Sequence, residues 1–282
     1  GNLISGFPFE AGDKIQSSPA AGDVDLDGNN EIVFGSHDGN LYIIDTNGDQ
    51  ELAYSQSGFI IGAPALHDLD GDEDLEIVFT TQSGSSGKLY AIHHTGSNLD
   101  GFPVDLGEIM VVGAAVGDLE SDGSIDIVVT TYEDHIYAIN TDGTIKDGFP
   151  FVASHRFKSP ATLVDLDGDN DLEIVAGNDD GTLYILHHDG TLMTTFDVGD
   201  DIRGGISVAD INDDGDVELL FVGYDDNLHV WNPLTETELD GWPYDLGYNA
   251  LSGPVTADLD NDGDLEIVTA MKSGKIFIFH HD

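Results

Sequence analysis

One ten-residue acidic loop recurs six times, and no other feature constrains this chain as strongly. It reads DVDLDGNNEI from Asp23, DLDGDEDLEI from Asp68 and DLESDGSIDI from Asp118. It returns as DLDGDNDLEI from Asp165, DINDDGDVEL from Asp210 and DLDNDGDLEI from Asp258. The starts lie 45, 50, 47, 45 and 48 residues apart, and six units of 47 account for all 282 residues. A fixed period of this size marks a repeat architecture in which each unit is one supersecondary element. The repeats fill the chain, so one domain over residues 1–282 is expected.

Each unit has the same internal order. A short apolar run follows the loop, such as IVFG from Ile32 or IVVT from Ile127. An alternating run comes next, such as LYIID from Leu41 or LYILH from Leu183. Then comes a turn, Asn47-Gly48 or Asp189-Gly190, of the kind that favours tight hairpins. The last segment is GFPV from Gly101, GFPF from Gly148 or GWPY from Gly241. Short β-branched and aromatic runs between turn signals predict strands. Four strands per unit predict a propeller blade. The expected fold is therefore all-β: a six-bladed β-propeller with four antiparallel strands per blade.

The chain stops after a third strand and begins with GNLISGFPFEAG. Reading Asp282 into Gly1 restores an Asp-Gly turn, so the N-terminal segment is predicted to be the fourth strand that closes the last blade. Closure would remove an exposed sheet edge.

Charge narrows the function. Lys plus Arg number 8 against 55 Asp plus Glu, a formal net charge of -47. Such a chain cannot neutralise a run of phosphates, which excludes nucleic acid. It also lacks the basic segments that an anionic membrane attracts. No apolar run approaches the ~20 residues that cross a bilayer, so no membrane insertion is expected. The absence of cysteine removes disulfides, thiol catalysis and Cys-ligated zinc. Without an initiator Met or a signal sequence, the chain reads as a mature or excised fragment. A monomer is expected. No Ser-His-Asp spacing, P-loop or dinucleotide fingerprint occurs, and no catalytic residue is singled out.

Carboxylates or amides fall at loop positions 1, 3, 5 and 9 in every repeat. They are Asp23, Asp25, Asp27 and Glu31; Asp68, Asp70, Asp72 and Glu76; Asp118, Glu120, Asp122 and Asp126. The remaining sets are Asp165, Asp167, Asp169 and Glu173; Asp210, Asn212, Asp214 and Glu218; Asp258, Asp260, Asp262 and Glu266. Alternate residues of a tight loop can point at one ion, and hard oxygen ligands in this number suit Ca²⁺. Up to six calcium ions are expected, of unequal affinity. Position 6 is read as a left-handed turn, which Gly or Asn allows and Glu73 fits poorly. Glu120 is longer than Asp, and Asn212 removes a charge. The pairs His93-His94, His187-His188 and His280-His281 are read as polar turn residues pointing to opposite faces.

The six loops, with Phe34-Gly35 after the first and Gly62-Ala63-Pro64 before the second, resemble the FG-GAP family. That family includes the calcium-binding propeller of integrin α subunits, and bacterial VCBS-type repeats are similar. The resemblance implies that the calcium loops share one face. The opposite face would be built from two loop sets. One joins successive blades: 11–17, 55–62, 105–112, 153–159, 197–205 and 245–252. The other joins second and third strands: 35–40, 80–88, 130–135, 177–182, 223–227 and 270–275. Lys14, Arg156, Lys158, Arg203, Lys88, Lys272 and Lys275 fall in these loops, and only Lys146 lies elsewhere.

Acidic residues claiming one face would by themselves leave cations on the other. The sharper reading is a ligand site of Tyr132, His135, His155, Arg156 and Lys158, with Arg203, for an anionic group such as a carboxylated sugar. The expected function is a secreted or cell-surface, calcium-stabilised binding or adhesion module for a glycan or protein. Two alternatives remain: a lyase or hydrolase acting on acidic glycans, and a structural spacer.

Overall fold

The computed structural model describes residues 1–250 and 252–280. Among them every regular element is a strand, and the strands form six antiparallel sheets, one per repeat. This is the six-bladed propeller architecture that the sequence predicts. The chain divides into two compact units, residues 1–116 with 125–146 and residues 117–124 with 147–282.

Each sheet grows outward in chain order. In the first repeat, Ala20–Gly22 pairs with Glu31–Gly35, which pairs with Asn40–Ile44, which pairs with Gln50–Ser55. The second strands are buried along their whole length in repeats two to five: Glu76–Thr80, Asp126–Thr130, Glu173–Gly177 and Glu218–Val222. Burial on both sides explains why these runs read as continuously apolar.

Successive side chains serve opposite neighbours. In the first unit, Ile77 and Phe79 pack with Val33, Leu41 and Ile43 of the first repeat. Val78 between them packs with Ile127 and Val129 of the third. In the second unit, Leu219 and Phe221 pack toward Val175, Leu183 and Ile185, while Leu220 and Val222 pack toward Ile267.

The last blade departs from expectation. Its sheet has three strands, Val255–Ala257, Glu266–Ala270 and Ile276–Phe279. The expected N-terminal fourth strand is not formed, because residues 1–19 contain no strand. The Asp282-Gly1 turn lies outside the described residues. The N-terminal segment keeps the packing of the other GFP segments but not their strand. Their strands begin only after Pro103 and Pro150, as Val104–Asp105 and Phe151–Val152. The preceding Gly presses instead on the hairpin turn of the following repeat. A Cβ on Gly101 would lie 1.9 Å from the Asp142 carbonyl oxygen, and one on Gly148 would lie 2.0 Å from that of Asp189.

Gly6 makes the same approach to Asn47 of the first repeat, with a would-be Cβ at 1.6 Å. Phe9 then packs edge-on at 5.8 Å from Phe34 and 5.4 Å from Tyr42. The N-terminal segment thus lies on the first sheet as an outer segment lies on the next repeat. In the last repeat Ile276 is 71% and Ile278 is 58% exposed, whereas the equivalent Leu228 and Val230 are 0% exposed.

Candidate metal loops and the opposite loop face

The acidic loops are folded by their own carboxylates. The first Asp accepts from the backbone N–H of position 6: Asp23 from Gly28 at 3.0 Å, Asp68 from Glu73 at 3.1 Å, Asp118 from Gly123 at 2.7 Å. Asp165 and Asp210 repeat this with Asn170 and Gly215. The fifth residue accepts from the N–H of the seventh in all six repeats. These are Asx turns, which hold a loop without regular structure.

Two residues per loop are left-handed, where the sequence predicts one. Position 6 has φ of 91° at Gly28, 80° at Glu73 and 76° at Asn170. Position 4 has φ of 62° at Leu26, 83° at Gly71, 53° at Ser121, 79° at Gly168, 56° at Asp213 and 64° at Asn261. Glu73 therefore takes the conformation it was expected to resist. Each repeat relieves one of its two strained positions with Gly. Repeats two and four place that Gly at position 4, and the others place it at position 6.

The ninth residue begins the second strand and is buried: Glu31, Glu76, Asp126, Glu173, Glu218 and Glu266 are 0–2% exposed. The Glu side chains accept from the backbone N–H of position 2, at 3.0 Å for Val24 and 2.7 Å for Leu69. Burial raises the carboxyls of Glu31, Glu173 and Glu218, and pushes Glu76 up to about 7.

In the first loop one oxygen each of Asp23, Asp25 and Glu31 lies within 4.8 Å of the others. Asp23 Oδ1 is buried there with no hydrogen-bond partner. The donor set, all hard oxygen with an orphaned buried acceptor, fits a calcium ion.

The third loop differs. The Lys146 ammonium lies 3.0 Å and 3.1 Å from the two oxygens of Asp126. The one cation that the sequence leaves outside the far loops thus supplies a tethered positive charge at a position read as a metal ligand.

The histidine pairs are not plain turn residues. His93, His187 and His280 place Nδ1 at 3.0, 3.4 and 3.0 Å from the ninth carboxylates of their own repeats. His94 and His188 approach the seventh residues, Asp74 and Asp171, at 3.2 and 3.1 Å. His281 lies outside the described residues.

At the far end of the strands the two predicted loop sets meet in every repeat. Phe59 bridges Gln82, and the N–H groups of His37, Tyr132, Asp179, Tyr224 and Lys272 donate to Lys14, Ile109, Arg156, Asp201 and Asn249. A five-residue strand of about 16 Å separates this face from the acidic loop of the same repeat.

The predicted ligand residues fall in different units. Tyr132 and His135 belong to the first, where His135 Nδ1 is 2.8 Å from Glu108. His155, Arg156, Lys158 and Arg203 belong to the second. There His155, the Arg156 Nε and Lys158 converge on Asp179, whose side chain is 3% exposed. Burial alone would raise Asp179, but the Lys158, Arg156 and His155 hydrogen bonds outweigh it and hold the carboxyl at about 2. Arg203 pairs with Asp201 and lies 4.4 Å over the Tyr224 ring. The sequence reading missed Asp179, Asp201 and Tyr224. Asp179 and Tyr224 stand in the loops after the second strands, and acidic residues are too common here for one to stand out.

Residues 210–269 match the FG-GAP-like repeat family model. A search of curated protein sequences finds no match. Among solved structures, BBS1N in complex with ARL6DN is similar at 14% identity, covering 99% of this chain and 80% of that one, with a TM-score of 0.65. BamB from Moraxella catarrhalis is similar at 18% identity, over 94% and 72%, with a TM-score of 0.66. The V. cholerae biofilm matrix protein Bap1 is similar at 19% identity, over 95% and 40%, with a TM-score of 0.54.

Proposed function

We propose that this chain, a β-propeller with an FG-GAP-like repeat, is a calcium-held binding module that recognises a glycan or protein on the face away from its acidic loops. The observation that carries this reading is the sixfold recurrence of one loop with inward Asx turns and a buried ninth carboxylate. Four carboxylates gathered in so short a loop repel one another unless a cation joins them. Weak calcium modules, with dissociation constants of about 10⁻⁴–10⁻³ M, work where calcium is plentiful, which favours a secreted or cell-surface location. BBS1N in complex with ARL6DN and a biofilm matrix protein share the fold, in keeping with a binding role.

Arg203 stacked on Tyr224 and the Asp179 cluster make the loops of the second unit the best recognition surface. Such a platform suits a sugar ring bearing a carboxylate. Binding is favoured over catalysis, because His155 and Arg156 are both engaged by Asp179 and offer no unengaged base beside a cation.

Chelation tests the reading. At ten times its dissociation constant each ion adds about 1.4 kcal/mol, so five loops without a tethered lysine add about 7 kcal/mol. Melting should fall steeply in a chelator, and an unchanged melting temperature overturns the calcium assignment. Titrating uronate and neutral oligosaccharides against the calcium-loaded protein then tests the surface. Arg203→Ala should weaken uronate binding, and equal binding by the variant overturns the placement.

A further inference from the structure

We propose that the loops of repeats two, four and six take a divalent ion of the zinc class, with His93, His187 and His280 completing each site. This rests on the reading that the acidic loops hold divalent cations, and it separates three of them by chemistry.

Strand register places the imidazoles. Ile77 pairs with Ile92, Ile174 with Leu186 and Ile267 with Phe279. The next residue on each third strand therefore stands beside the ninth carboxylate. A His93 nitrogen and one oxygen each of Asp70 and Asp72 lie within 4.8 Å of one another. The same holds for Asp167, Glu173 and His187, and for Asp260, Glu266 and His280.

A second observation points to a ligand. Glu266 is 2% exposed, yet its Oε1 has no hydrogen-bond partner, although His280 Nδ1 is 3.0 Å away. In repeat two, Asp74 Oδ1 likewise has no hydrogen-bond partner, while Asp74 Oδ2 lies 3.2 Å from His94 Nδ1.

The chemistry follows from the donor set. An imidazole that gives its Nδ1–H to a carboxylate presents Nε2 as a lone pair, the arrangement that orients histidine on a metal. His93 makes that contact with Glu76 at 3.0 Å. One nitrogen among carboxylate oxygens moves preference from calcium toward zinc, cobalt or nickel. A cavity of about 530 Å³, lined by Asp70, His93 and Asp100, gives solvent access in repeat two.

The other repeats carry Asp45, Asn140 and Asn232 at this position. Asn232 Nδ2 donates to Glu218 at 3.2 Å, so an amide fills the place without a metal-binding lone pair.

The full chain is titrated with Co²⁺, Zn²⁺ and Ca²⁺ separately. Stoichiometry is followed by calorimetry and imidazole ligation by cobalt-shifted histidine proton resonances. The same titrations are run on the His93→Asn, His187→Asn and His280→Asn variants, which carry the residue that repeats three and five use. Wild type should take three Zn²⁺ or Co²⁺ with shifted imidazole signals. Each variant should lose one equivalent or weaken it roughly tenfold or more. Calcium binding by the variants should change far less.

Wild-type cobalt binding without shifted imidazole signals overturns the inference even if a variant misfolds. So does zinc binding that all three variants share with wild type. Calcium binding without histidine-dependent zinc defeats this inference alone. Histidine-dependent zinc without calcium defeats the calcium reading alone.

Discussion

The Lys146 ammonium lies 3.0 Å from Asp126 Oδ1, so the third acidic loop carries its own cation. Asp126 is 1% exposed, and removing the ammonium partner of a buried carboxylate is strongly destabilising. Lys146→Met should therefore lower the stability of the calcium-free protein by about 3–5 kcal/mol. Calcium should recover more stability in the variant than in wild type, because an ion then takes the place of the ammonium. Thermal melts of both proteins with and without calcium check this, and an equal calcium response in the two speaks against metal binding at the third loop.

Leu26 and Gly28 test the two left-handed positions of the first loop. Leu26 has φ of 62° and is 54% exposed, so its side chain gains little from burial and suffers from its backbone. Leu26→Gly should stabilise by about 1 kcal/mol, and Gly28→Val should destabilise by about as much or more. Denaturant midpoints measured in calcium-free buffer decide the point.

His229 should make stability fall on the alkaline side. Burial alone would lower its pKa, but hydrogen bonds to Asp225 and Glu238 outweigh that and raise it to about 9. A raised histidine pKa gives stability that is complete below about 6.5 and is lost as pH climbs through about 9. The loss should approach about 3 kcal/mol, since the side chain is 4% exposed. His229→Phe, which carries the residue found at the equivalent Phe277, should be less stable at pH 6.5 but lose this slope. Unfolding curves between pH 6.5 and 9.5 on both proteins give the comparison.

Asp179 should matter on the acidic side. Its carboxyl sits at about 2 against an ordinary 3.8, so its contribution is present above about 4 and disappears as pH falls toward 2. Asp179→Asn should remove about 2 kcal/mol at pH 7 and flatten the acid limb of the stability profile. If the acid limb is unchanged in the variant, His155, Arg156 and Lys158 do not depend on Asp179.

The repeats and most of their strands were legible, because an Asp every second residue and an apolar run after it are local signals. The meeting of the two far loop sets followed from the family resemblance rather than from a local signal. What escaped were contacts between strands. Nothing local says that His93 will stand beside Glu76, because that depends on the register of Ile77 against Ile92. Nothing local says that Lys146 reaches back to Asp126 across a hairpin. The second left-handed residue hid because Leu26, Ser121 and Asp213 are not residues that announce one. The N-terminal GFPF reads as a strand because it matches the GFPV and GFPF of repeats two and three, whereas what it keeps of them is the close packing of Gly6 on Asn47.

The residues that end the third strands run Asp45, His93, Asn140, His187, Asn232, His280. Imidazoles occupy every other place, with acidic loops starting 97 residues apart from Asp68 to Asp165 and 93 apart from Asp165 to Asp258. Copying single blades gives no reason for a period of two. Copying pairs does, and repeats two and four also share Gly71 and Gly168 at the fourth loop position. The unit of repetition for the imidazoles is thus a pair of blades, one with an imidazole and one without, although repeat six leaves that pairing at its fourth loop position, Asn261.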